Sequence, residues 1–83
     1  MNKVLVEVFV PALGRSFDIF VPLQSPMFEV LELIKKAVSD LSDGLFVPNQ
    51  NTAICNRYDG TILNINLSVY ELDIRNGSKL MLI

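Results

Sequence analysis

Apolar and polar residues alternate along 3–10, with Val4, Val6, Val8 and Val10 at every even position. A period of two built from β-branched residues predicts a strand, with the valines on one face and Leu5, Glu7 and Phe9 on the other. The alternation returns over 15–21, where Phe17, Ile19 and Val21 fall on one face and Asp18 and Phe20 on the opposite one. Pro11-Ala-Leu-Gly14 supplies turn residues between the two segments, and Pro22 ends the second. An antiparallel hairpin follows. Over 26–41 the period changes: Met27, Val30, Ile34, Ala37, Val38 and Leu41 recur at spacings of three and four, one face of a helix. Ser25 stands at the N-cap position with Pro26 as the first helical residue, and Gly44 offers the stop. Glu29 and Glu32 precede Lys35 and Lys36, as the helix dipole favours, and Glu32 and Lys36 have the spacing of an ion pair.

The remainder reads as short strands and turns. A loop over 45–52 opens on Leu45 and Phe46, one of which is expected to plug the core end. A third strand is predicted over 53–58, then a turn at Asp59-Gly60 and a short strand over 61–63. Ser68-Val-Tyr-Glu71 has capping-box spacing, Asn76-Gly77 marks another turn, and 79–83 forms the last strand. The long crossover between the first and last strands predicts that they pair in parallel. This order is that of a β-grasp: an α+β fold with a mixed four- to five-stranded sheet on one main helix. At 83 residues the chain is read as a single domain, 1–83.

Composition narrows the function. Apolar residues make up 51% of the chain, high for a small domain, which points to a greasy outer face or a covering partner. The net charge of −2 comes without a basic patch, so nucleic acid is not the expected ligand. No apolar run is long enough for a membrane span, and the opening reads as a strand rather than a signal peptide. The single cysteine, Cys55, fits a reducing, cytoplasmic setting.

Catalysis finds little to work with. The sequence contains no histidine, so Ser–His and Cys–His pairs are excluded. The carboxylates are dispersed and each has an ordinary role as a cap, a turn former or a solvated charge. One cysteine cannot hold an iron–sulfur cluster, and without a neighbouring base it reads as a structural thiol. Neither a catalytic residue, a metal site nor a cofactor is expected.

Val69-Tyr-Glu-Leu-Asp-Ile-Arg-Asn-Gly-Ser-Lys-Leu80 resembles the closing signature of ubiquitin-like domains, with Val69, Leu72 and Ile74 at the core base and Gly77 in the turn. The helix start Pro26-Met-x-x-Val30-Leu-Glu-Leu33 and the strand Ile54-Cys-Asn-Arg57 resemble the bacterial YukD/EsaB family of type VII (WXG100) secretion. That resemblance implies a non-catalytic accessory domain acting with secretion-machine proteins. Ubiquitin and the sulfur carriers are activated at a Gly-Gly tail; this sequence ends Leu-Met-Leu-Ile83, so conjugation is not expected. A degenerate, sulfur-carrier-like β-grasp that has lost its tail is the alternative.

Ubiquitin-like domains commonly bind partners on the outer sheet face. If Ile54 faces the core, Cys55 shares that outer face with Met81 and Ile83, and Phe9 and Phe20 add apolar area from the hairpin. These five residues are the candidate protein-binding site, with weak homodimerisation as one possible use. Against this stands the ordinary fact that single apolar residues are common on protein surfaces.

Overall fold

The computed structural model describes residues 2–83. Its elements are β1 (Lys3–Val10), β2 (Arg15–Pro22), α1 (Met27–Leu41), β3 (Ile54–Asn56) and β4 (Lys79–Leu82). The sheet order is β2-β1-β4-β3. β1 pairs antiparallel with β2 and parallel with β4, and β3 runs antiparallel to β4. The inner faces supply Val6, Val8, Val10, Phe17, Ile19, Val21, Ile54, Leu80 and Leu82 to one core, which α1 closes with Met27, Val30, Leu31, Ile34 and Val38. The alternation of β-branched residues thus does what its period requires, placing one face of each strand against the helix.

The helix differs from expectation at both ends. Pro26, extended at φ −64° and ψ 148°, is the N-cap, and no side chain caps the helix there. The first N–H groups are satisfied from elsewhere: Met27 donates to the Leu67 carbonyl at 2.8 Å and Phe28 to that of Ile65 at 2.9 Å. A distant backbone segment therefore replaces the Ser25 cap. At the other end Leu41 is 54% exposed, while Leu31 joins the core. Buried Ser42 redirects the chain: its hydroxyl donates to the Ser39 carbonyl and accepts the Phe46 N–H. Phe46, not Leu45, then fills the core end. Glu32 pairs with Lys35 at 3.0 Å rather than with Lys36.

The third strand is shorter than expected because Asn56 already belongs to a turn. Its carbonyl accepts the Gly60 N–H and its side-chain oxygen accepts that of Tyr58. The short strand over 61–63 contracts to one bridge, Ile62 opposite Cys55. The capping box forms reciprocally, Ser68 N–H to Glu71 Oε1 at 2.9 Å and Glu71 N–H to Ser68 Oγ at 3.0 Å, though within a turn rather than a helix. Val69 and Ile74 are buried below it and Leu72 is half-buried. Gly77, at φ +87°, lets its N–H reach the Leu5 carbonyl at 2.8 Å, while Leu5 N–H donates to the Asn76 side chain at 2.7 Å. That clamp sets β4 beside β1.

Candidate protein-binding sheet face

Pairing across the sheet sorts the outward side chains into rows. Phe20 lies opposite Leu5. The next row runs Asp18, Glu7, Lys79 and then Arg57, whose N–H donates to the Lys79 carbonyl. The third runs Ser16, Phe9, Met81, Cys55 and Ile62. Beyond it Ile83 exchanges two backbone hydrogen bonds with Ala53, each 2.9 Å.

The charged row is anchored. Glu7 accepts from Arg57 at 2.9 Å and lies 3.5 Å from the Lys79 ammonium. The Arg57 guanidinium also stands over the Phe9 ring, 4.2 Å from its centroid. Acids occupy the β2 half of the row and bases the β3 half, so the row bordering the apolar residues is polarised across the sheet.

The five residues expected on this face do not form one patch. Phe9 and Met81 are adjacent and half-buried, and Ile83, 52% exposed, follows one row on. Cys55 takes the outward register opposite Met81 but is fully buried. It is a small side chain between the longer Met81 and Ile62, so it floors the patch and offers no contact surface. Burial also raises its thiol pKa above the ordinary value, as desolvation disfavours the thiolate. Phe20 is exposed on the far side of the charged row. Its row lies four residue steps along β2 from that of Phe9, about 13 Å at strand rise. It does not adjoin the others.

Ile62, 64% exposed, is the residue the sequence reading omitted. The signal was available: the Asp59-Gly60 turn folds 61–63 back on the third strand, which brings residue 62 beside residue 55. Asp59 stabilises that turn by accepting the Thr61 N–H at 2.9 Å, and hydrogen bonds from Thr61 lower its carboxyl pKa.

No family model matches the chain, nor does any curated protein. Solved structures do. The ubiquitin-like domain of the Mycobacterium tuberculosis type VII secretion protein EccD1 superposes over 100% of this chain and 99% of its own, with a TM-score of 0.80 at 20% identity. The fold is ubiquitin-like. The EccD5 ubiquitin-like domain from Mycobacterium xenopi gives a TM-score of 0.70 at 18% identity, covering 100% of this chain and 94% of that one. A chain of the MycP5-free ESX-5 inner membrane complex matches with a TM-score of 0.72 at 19% identity; this ubiquitin-like chain spans 21% of its length. No helix among the described residues is long and apolar enough to cross a membrane.

Proposed function

We propose that this ubiquitin-like domain is a non-catalytic interaction module, an accessory part of a type VII secretion machine of the YukD/EsaB kind, working in the cytoplasm. The observation that carries the binding role is the outer row Phe9–Met81–Ile62 with Ile83 beyond it, apolar and bordered by the anchored charges of Glu7, Lys79 and Arg57. A small apolar centre beside a polar row suits a transient protein contact. The secretion setting is supported by the similarity to the EccD1 and EccD5 domains. The reading also takes the domain as unconjugated.

Met81→Glu tests the binding role. A carboxylate at this half-buried position should leave a cooperative thermal transition and weaken capture of secretion-machine subunits from detergent extracts of the native cell, because the contact would desolvate an unpaired charge. Loss of folding, or unchanged capture of those subunits, would overturn the assignment of this face. Incubation with a ubiquitin-type activating enzyme and ATP should leave the protein mass unchanged; an adenylate or thiocarboxylate would refute the unconjugated reading.

A further inference from the structure

The clamp between β1 and β4 is built on the dipeptide Asn76-Gly77, and the fold uses both residues. Asn76 offers its side-chain oxygen to the Leu5 N–H at 2.7 Å, and Gly77, at φ +87°, donates its own N–H to the Leu5 carbonyl at 2.8 Å. Both backbone groups that Leu5 turns toward β4 are thereby satisfied. The turn is also closed from within: Ser78 N–H donates to the Arg75 carbonyl at 2.9 Å and Arg75 N–H to Ser78 Oγ at 2.8 Å. Glu7 N–H then donates to the Ser78 carbonyl at 2.9 Å, and the pairing of β4 with β1 begins at Lys79.

The same dipeptide is chemically labile. An asparagine side-chain amide is open to attack by the backbone nitrogen of the next residue, and a following glycine has no side chain to block the approach. Asn76 is the one asparagine in the chain that glycine follows; every other precedes a larger residue. Both Asn76 and Gly77 are exposed, so water and hydroxide reach them and burial gives no protection. The clamp does. Cyclisation joins Gly77 N to Asn76 Cγ, and the ring that results has no N–H at that nitrogen. The reaction therefore breaks the Gly77–Leu5 hydrogen bond, and clamp and ring exclude each other.

We propose that Asn76 is a site of self-modification gated by opening of the β1–β4 clamp, and that its main-chain product keeps the clamp from re-forming. In the open chain Gly77 N loses its proton to solvent hydroxide and attacks Asn76 Cγ; the Cγ–Nδ2 bond breaks and Nδ2 leaves as ammonia. Water then opens the succinimide. Attack at Cγ gives aspartate at position 76, and attack at the main-chain carbonyl of that position gives isoaspartate. One amide and one water become one carboxylate and one ammonium ion, with no oxidation or reduction. Aspartate keeps an oxygen for the Leu5 N–H. Isoaspartate routes the main chain through Cβ and Cγ, one methylene longer, which removes the side-chain acceptor and carries Gly77 out of register with Leu5. The register that sets Met81 beside Phe9 is lost with it. One opening is thus fixed in the chain, whatever the outer face binds.

The test incubates the whole chain at mildly alkaline pH, native and in urea, and follows the peptide containing residue 76 by chromatography and mass spectrometry as asparagine, aspartate and isoaspartate forms. Position 76 should react about tenfold more slowly, or slower still, in the native chain. Hydrogen exchange of the Gly77 amide reports the same opening, so its protection should match the slowing of the reaction, and low urea should lower both together. The isoaspartate form, separated and returned to native buffer, should lack Gly77 protection and show displaced Phe9 and Met81 amide signals, whereas the Asn76→Asp chain should keep both. Equal rates in the native and unfolded chains, or a reaction that does not follow Gly77 exchange across the urea series, would overturn the gate. An isoaspartate chain with native Gly77 protection and native Phe9 and Met81 signals would overturn the loss of the clamp.

Discussion

The Arg57 guanidinium lies 4.2 Å from the centroid of the Phe9 ring while one of its nitrogens donates to Glu7 at 2.9 Å. One cation thus joins the charged row of the outer face to its apolar row. Cation–π contacts at partly exposed sites are worth about 0.5–1 kcal/mol. A double-mutant cycle of Arg57→Ala and Phe9→Leu, read by urea unfolding, should show a coupling of that size that shrinks little with salt. The Arg57–Glu7 cycle should give a comparable value that falls as salt is added, because both side chains are about one-third exposed and therefore screened. No coupling in the first cycle would mean that the ring only shares space with the cation.

Ile34 sits at the centre of the helix face and is fully buried. Ile34→Ala should cost about 2–5 kcal/mol by loss of burial and creation of a cavity. Leu41→Ala, on the same helix but 54% exposed, should shift the denaturation midpoint far less. Equal losses at the two positions would contradict the assigned core face.

The Ser68–Glu71 exchange is reciprocal, each backbone N–H bonding the other residue's side chain, in the segment leading to β4. Ser68→Ala removes the acceptor of the Glu71 N–H and should cost about 1 kcal/mol. Glu71→Gln keeps an oxygen for the Ser68 N–H and should cost less. Chemical denaturation of both variants checks the order.

Cys55 carries an alkaline signature. Burial raises its folded pKa above the ordinary thiol value, so below that ordinary value both folded and unfolded states hold the proton and the thiol adds no pH dependence. As pH rises through and above it, the unfolded thiol ionises first and stability is lost until the folded thiol ionises too. Cys55→Ala should flatten that part of the stability–pH curve. Iodoacetamide should label native Cys55 slowly at about pH 8.5 and rapidly in denaturant. Fast labelling of the native protein would show the thiol to be reachable from solvent.

The sequence by itself determined which face each strand residue takes. The valines of 3–10 and Phe17, Ile19 and Val21 could be sided from a period of two, and β1 runs over the predicted residues. It also carried the helix, the parallel pairing of first and last strands, and the reciprocal cap at Ser68 and Glu71. These are local or near-local consequences of periodicity and capping chemistry. Only the tertiary structure decided which outward residues share a row. Phe20 and Phe9 have the same outward register, yet the Asp18–Glu7 row falls between them. Cys55 and Met81 are also outward, yet neighbours bury the first and leave the second half-open. The helix cap shows the same limit, since its acceptors at Ile65 and Leu67 lie far along the chain from Pro26. Alternation specifies the side of a sheet. Cross-strand alignment, and the size of what stands beside each residue, specify its surroundings, and those exist only once the strands have paired.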